Sequence, residues 1–204
     1  MSRLRYPKFQ MAKRFCVFCG SSSGARESYA IAATSLARHL AANGIAIVYG
    51  GGKVGLMGKL ADAALEAGGE VIGVMPRSLV EKQVSHSGLS DLRVVGSMHE
   101  RKAQMAELSD AFIALPGGYG TFEEFCEVLT WTQLGLQRKP CGILNTEGYY
   151  DQLLALFDHA MDEHFLKPVH RRIVLSDSRP ESLVRRLLEC EPPLVDKWID
   201  PKQT

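Results

Sequence analysis

The sequence predicts a single-domain α/β fold: a doubly wound parallel sheet, Rossmann-like in layout, with helices on both faces. Three observations carry this. Short apolar runs alternate with longer stretches of helical periodicity along nearly the whole chain. Several of the runs are almost continuous in Val, Ile, Leu and Phe, as expected of strands covered on both faces. Glycine-rich turns follow three of them, where such folds bind ligands.

In chain order, strands are predicted at 14–19, 45–49, 70–75, 92–95, 111–115, 141–145 and 173–176. Helices are predicted at 27–43, 56–67, 98–108, 121–134, 149–163 and 180–189. Asn43-Gly44 and Gly68-Gly69 supply helix stops, because glycine enters the left-handed conformation that ends a helix. The connection 76–91 is longer and polar, which suits a lid or rim over a ligand cleft. No repeat, low-complexity segment or interdomain linker interrupts the pattern. The expected layout is a tail over 1–13, a catalytic domain over 14–190 and a tail over 191–204.

With 204 residues, 46% apolar and 23% charged, the chain can bury a core without disulfides or a structural metal. Its 24 Lys and Arg nearly balance 23 Asp and Glu. No global field is available to recruit nucleic acid or an anionic membrane, so any anion site is local and the expected partner is a small molecule. No stretch approaches the roughly 20 apolar residues of a membrane span, and residues 1–13 lack the apolar centre of a signal peptide. The five cysteines are odd in number and set in apolar surroundings. Cys16 and Cys19 form a C-x-x-C, but residues three apart on a strand point to opposite faces, which places the pair poorly for bridging or chelating. Buried free thiols fit a reducing, cytoplasmic location. No His, Cys and carboxylate cluster has metal-ligand spacing, and no metal is expected.

The three turns are Cys19-Gly20-Ser21-Ser22-Ser23-Gly24, then Gly50-Gly51-Gly52-Lys53-Val54-Gly55-Leu56-Met57-Gly58, and Pro116-Gly117-Gly118-Tyr119-Gly120-Thr121. Glycine lets a backbone approach a ligand, and the helix that follows offers unpaired N–H groups to an anion. Side by side, three such turns can surround a phosphate and its sugar. Gly50, Gly52 and Gly55 also match G-x-G-x-x-G, but the acid expected about 20 residues on is missing: that strand ends Val74-Met75-Pro76-Arg77. A Walker A loop is excluded because neither Ser nor Thr follows Lys53.

Two segments bring chemistry to the same rim. Met98-His99-Glu100-Arg101-Lys102 opens a predicted helix, and Glu123 with Glu124 falls in the first turn of the helix predicted from Thr121. Carboxylates there favour the helix dipole, which is a sufficient reason for Glu123. Glu124 is the candidate to stabilise an oxocarbenium-like transition state on a ribose, or to activate water. Arg101 is expected either to bind phosphate or to hold Glu124 ionised, the alternative being a surface ion pair with Glu100 or Glu107. Lys102 reads as solvated, and His99 as a surface residue.

At these residues the chain resembles the Lonely Guy family, the cytokinin riboside 5′-monophosphate phosphoribohydrolases formerly labelled lysine decarboxylases. The paired signatures are Ser97-Met-His-Glu-Arg-Lys102 and Pro116-Gly-Gly-Tyr-Gly-Thr-Phe-Glu-Glu124. Similarity extends through Val17-Phe-Cys-Gly-Ser21, Tyr49-Gly-Gly-Gly52, Gly55-Leu-Met-Gly58, Leu129-Thr-Trp131 and Gly148-Tyr-Tyr150. The resemblance implies hydrolysis of the N-glycosidic bond of an N6-modified AMP, or of AMP, without a cofactor, by a homodimer. It implies Arg101 and Glu124 as the catalytic pair. Gly20, Ser21, Gly50, Gly51, Gly52, Met57, Gln83, Met98, Lys102, Gly117, Gly118, Tyr119, Gly120, Thr121, Glu123 and Thr130 are implied as substrate-binding residues. The chain departs at Gln83, where the family commonly carries a glutamate. An amide hydrogen-bonds but cannot act as a base, so base selectivity or rate is the property this departure touches.

Two other function classes compete. A nonenzymatic nucleotide or cofactor carrier would share the fold, but an anion carrier gains nothing from a carboxylate beside its ligand. An NADP-dependent oxidoreductase rests only on the glycine pattern. The decarboxylase label needs a Schiff-base lysine with an acidic partner for a pyridoxal ring, and neither Lys53 nor Lys102 has that setting.

Overall fold

The computed structural model describes residues 14–82 and 84–193. All seven predicted strands form, as β1 (Arg14–Phe18), β2 (Ala46–Tyr49), β3 (Val71–Pro76), β4 (Asp91–Val95), β5 (Ala111–Ala114), β6 (Cys141–Leu144) and β7 (Val174–Asp177). They make one sheet in the order β4-β3-β2-β1-β5-β6-β7, with every neighbouring pair parallel. The chain winds outward from β1 to β4, then restarts at β5 on the other side of β1. The crevice between the carboxyl ends of β1 and β5 is therefore the topological switch point.

Alternation along each strand splits the core in two. Phe15 and Val17 of β1 face one layer, built by α1 (Glu27–Ala42), α2 (Gly55–Glu66) and α8 (Pro180–Glu189). Cys16 and Phe18 face the other, which includes residues of α4 (Met98–Leu108), α5 (Tyr119–Gln133) and α6 (Asp151–Asp162). Cys16 and Cys19 lie in opposite layers, as their spacing requires, and all five cysteines are unpaired. Burial pushes the thiols of Cys16 and Cys19 well up, and that of Cys141 up to about 12.

Three local features depart from the sequence reading. The helix predicted from Thr121 begins at Tyr119, because extended Gly118 serves as its N-cap and Gly120 accepts helical geometry. Glu123 and Glu124 consequently fall in its second turn, where the capping reason given for Glu123 does not hold. The helix predicted from residue 149 begins at Asp151, after a 3-10 turn over Thr146–Gly148 in which Glu147 and Gly148 have φ of 54° and 69°. Short helices α3 (Arg77–Val80) and α7 (Pro168–Arg171) are too brief to show helical periodicity in the sequence.

The connection after β3 is fastened down. Beyond α3, Ser85 bridges Gly52, His86 N–H donates to Gly51 O (2.9 Å) and Lys53 N–H to Val84 O (3.0 Å). It forms a rim tied to the second glycine turn.

Candidate active site

The sheet order places the three glycine turns side by side, at the ends of β2, β1 and β5. They touch through backbone. Gly20 N–H donates to Pro116 O (3.0 Å), and Leu56 N–H to Gly20 O (3.1 Å). Gly55 has φ +63°, and a Cβ there would lie 2.3 Å from the Ser21 carbonyl carbon, so this glycine is required by the contact between turns. The other members of the G-x-G-x-x-G also answer to neighbours inside the chain. A Cβ on Gly52 would meet Met57, and one on Gly50 would lie 2.0 Å from an Arg101 guanidinium nitrogen.

Arg101 reaches that position because the start of α4 is set by its caps. Ser97 Oγ accepts from Glu100 N–H (3.1 Å), while the Glu100 carboxylate accepts from Gly96 N–H (2.7 Å), a variant of the capping box. Glu100 is thereby occupied, and Arg101, one residue on, extends over the ends of β3 and β2. Its Nε donates to Val74 O (3.0 Å) and its Nη1 to Glu124 Oε1. Both partners of this ion pair are 9% exposed. Burial raises the Glu124 carboxyl above its ordinary range, and the charge and hydrogen bond of Arg101 pull it partly back.

Lys102 is not the solvated residue its sequence suggested. Its side chain is 11% exposed, and its ammonium bonds Glu123 and, at 3.1 Å, Glu127. Burial alone would depress it, but the hydrogen bonds to Glu123 and Glu127 hold its pKa above the ordinary lysine value. Adjacent residues of α4 thus grip adjacent residues of α5: Arg101 with Glu124, Lys102 with Glu123.

The third turn ends in an uncapped helix. Gly118, the N-cap of α5, makes no side-chain cap bond, and helix geometry leaves the N–H groups of Tyr119, Gly120 and Thr121 without intrahelical acceptors. Thr121 is buried, with its hydroxyl over Gly117, where a Cβ would lie 2.1 Å from that oxygen. Among the described residues, a Cβ on Gly118 or Gly120 would meet no atom within 4 Å beyond its chain neighbours and its own helix backbone, so no packing contact there requires glycine at either position. Tyr119 is 93% exposed beside them, and Met98 and Ser21 are exposed at the same rim. A recess of about 350 Å³ opens between the first and third turns, walled by Ser21, Ser22, Ser23, Tyr29, Gly117 and Tyr149.

Some residues lie apart. Thr130 is exposed on α5, its hydroxyl donating to Cys126 O (2.8 Å), in a depression with Phe157, Leu166 and Ile173 that includes no glycine-turn residue. His99 is exposed at the surface. Gln83 lies outside the described residues. A larger hollow of about 710 Å³ sits at the amino-terminal edge of the strands, near Arg14, Gly69 and Asp110; ligands of such sheets bind at the opposite, carboxyl edge. Sequence reasoning missed Glu127, which shares Lys102, and the roles of Tyr149 and Tyr150, whose hydroxyls donate to Gly117 O and Leu115 O. The only signal for the tyrosines was their place in the Gly148-Tyr-Tyr150 motif.

Fold and site together define an α/β protein of the nucleotide-binding class. A family model described as "Possible lysine decarboxylase" matches residues 57–187. A probable cytokinin riboside 5′-monophosphate phosphoribohydrolase of Oryza sativa subsp. japonica is 53% identical over 88% of this chain and 79% of its own. A cytokinin riboside 5′-monophosphate phosphoribohydrolase of Arabidopsis thaliana is 51% identical over 88% of this chain and 83% of its own. The chain belongs to this phosphoribohydrolase family, the Lonely Guy family. Among solved structures, the molybdenum cofactor binding protein of the phototrophic bacterium Rippkaea orientalis superposes with TM-score 0.64 at 22% identity, covering 85% of this chain and 93% of that one. At that identity the likeness is one of fold. Neither Lys53, exposed, nor Lys102, held by two carboxylates, is placed to form a Schiff base.

Proposed function

We propose that the chain hydrolyses the N-glycosidic bond of adenosine 5′-monophosphates, N6-modified or plain, to free base and ribose 5-phosphate. The observation that carries this is the buried Arg101–Glu124 pair set beside an uncapped glycine helix start. In this reading the 5′-phosphate takes the N–H groups at the start of α5, where the helix dipole favours an anion. The bare backbone at Gly118 and Gly120 admits its close approach.

The ribose then lies under Glu124. As the C1′–N bond breaks, its electron pair leaves with the base and positive charge develops on the ribose. The base takes a proton from solvent, which is replaced when Glu124 later releases the proton of the attacking water. The Glu124 carboxylate stabilises that charge and takes a proton from the water whose oxygen joins C1′. Its raised pKa suits it to this second task, since a more basic carboxylate is the better general base. Arg101 keeps the carboxylate ionised and fixes its direction. Lys102 and Glu123 hold the two helices in register.

Residues 14–190 are the catalytic unit in this proposal, and the unpaired buried thiols support a reducing, cytoplasmic location. Among the described residues no helix is long and apolar enough to cross a membrane. We also assign the chain to a homodimer. No residue of α6 is buried, Leu136, Leu156 and Phe165 are exposed, and the depression that holds Thr130 is lined by the apolar side chains of Leu129, Phe157, Leu166 and Ile173. That apolar face suits a second copy, and Thr130 is assigned to it instead of to the glycine cradle.

The test is incubation with AMP and with isopentenyladenosine monophosphate, assaying free base and ribose 5-phosphate. Release from either supports the reading. Tight binding without release from either refutes it and favours a carrier.

A further inference from the structure

Three consecutive carbonyls lead into α5, and each is taken by a fixed donor. Leu115 O accepts from the Tyr150 hydroxyl (2.7 Å), Pro116 O from Gly20 N–H (3.0 Å), and Gly117 O from the Tyr149 hydroxyl. The two tyrosines are consecutive, and both aim back because the preceding turn is set. Gly148 has φ +69°, Asn145 Oδ1 accepts from Tyr150 N–H (2.7 Å), and Asn145 Nδ2 donates to Asp151 (2.7 Å). Tyr149 is further held edge-to-face between Tyr29 and Tyr150, at ring separations of 5.6 and 5.0 Å.

The two hydroxyls do different work. In a trans peptide the carbonyl and the following N–H point in opposite directions. Holding the Gly117 carbonyl therefore aims the Gly118 N–H away from Tyr149. A Gly-Gly pair has more conformational freedom to lose than any other, so an unheld Gly117–Gly118 peptide would turn freely. Holding the Leu115 carbonyl orients no donor, because the next residue is Pro116.

We propose that Tyr149 is a positioning residue for phosphate recognition. Its hydroxyl locks the Gly117–Gly118 peptide with the N–H toward the ligand, and through it the protein prefers phosphorylated ribose over the unphosphorylated sugar. This rests on the reading above that the 5′-phosphate binds at the start of α5.

The test is Tyr149→Phe, which keeps the ring packing and removes the hydroxyl, with Tyr150→Phe as the comparison. KM and kcat for AMP are measured, together with inhibition by ribose 5-phosphate and by adenine. Tyr149→Phe is expected to raise KM and the ribose 5-phosphate inhibition constant about five- to tenfold, the scale of one hydrogen bond. The adenine constant and kcat should change less than about twofold on the same scale. Tyr150→Phe is expected to lower the melting temperature without that selective loss. The proposal is overturned if Tyr149→Phe leaves ribose 5-phosphate inhibition unchanged, if it weakens adenine equally, or if Tyr150→Phe reproduces the selective effect. If the wild type releases no base, the hydrolase reading fails alone. Calorimetric binding of ribose 5-phosphate to the wild type and to Tyr149→Phe then decides this proposal: selective weakening supports it, and equal binding or none by the wild type overturns it.

Discussion

Replacing Gly50 with alanine perturbs the Arg101–Glu124 pair without removing either charged group. The added methyl would sit 2.0 Å from an Arg101 guanidinium nitrogen, while ordinary contact begins at 3.4 Å, so something must yield by about 1.4 Å. The guanidinium is the free end of a long side chain and yields before the backbone does. A shift of that size removes the hydrogen bond to Glu124, since such bonds weaken steeply with distance and angle. Loss of one preorganised charge partner at a reacting centre costs about 10²–10³ in kcat, or about 3–4 kcal/mol of barrier. Stability should fall by less than about 3 kcal/mol, because the arginine is displaced and not deleted.

The pH dependence has a definite sign. Burial already holds the folded pKa of Glu124 above its unfolded value. Its contribution to stability is therefore complete below the unfolded pKa and is lost as pH rises through the folded one. Weakening Arg101 lifts the folded pKa further, so in Gly50→Ala that window widens upward, and the stability gap to the wild type opens with rising pH. The acid limb of kcat should move to higher pH in step. Base release from AMP across pH, with melting temperatures at each pH, makes the measurement. A folded Gly50→Ala protein with the wild-type kcat and an unshifted acid limb would refute the assignment of Arg101 and Glu124 as a working pair.

Three further outcomes are expected. Glu124→Gln should abolish turnover while sparing nucleotide binding, as read by base release and calorimetry; unchanged turnover removes Glu124 from the mechanism. Gly120→Ala should give effects of opposite sign: up to about 1 kcal/mol of added stability from a better helix former, but a higher KM for AMP as its methyl enters the space beside the helix start. A KM that does not move would show that the phosphate does not approach that residue. Cys16, Cys19 and Cys141, buried with raised pKa values, should resist alkylation in the native protein at neutral pH; fast labelling of any of them, mapped by mass spectrometry, would contradict their burial.

The sheet was legible because its signal is local. Continuous apolar runs bounded by glycine mark both strand and strand end, and the seven strands fall within one or two residues of the ranges read from the chain. Even the adjacency of the three turns follows from winding rules that act on element order. The start of α5 was misplaced because Tyr119 and Gly120 carry no helix signal, and a two-residue error was enough to give Glu123 the wrong reason for being there.

What stayed hidden depends on contacts between residues far apart in sequence. Lys102 looked solvated because a lysine beside an arginine on a polar helix start usually is; its partners lie 21 and 25 residues on. Gly50 looked like part of a dinucleotide pattern, whereas its missing side chain makes room for Arg101, 51 positions away. Such requirements leave no periodicity, so composition and spacing cannot report them. The consequence for the site is that its glycines divide by origin. Gly50, Gly52, Gly55 and Gly117 are demanded by atoms of the chain itself, and substituting them disturbs the machinery. Among the described residues, nothing makes such a demand of Gly118 or Gly120. If these two admit substitution without loss of fold and lose affinity only for phosphorylated ligands, their absent side chains are a property of the ligand and not of the fold.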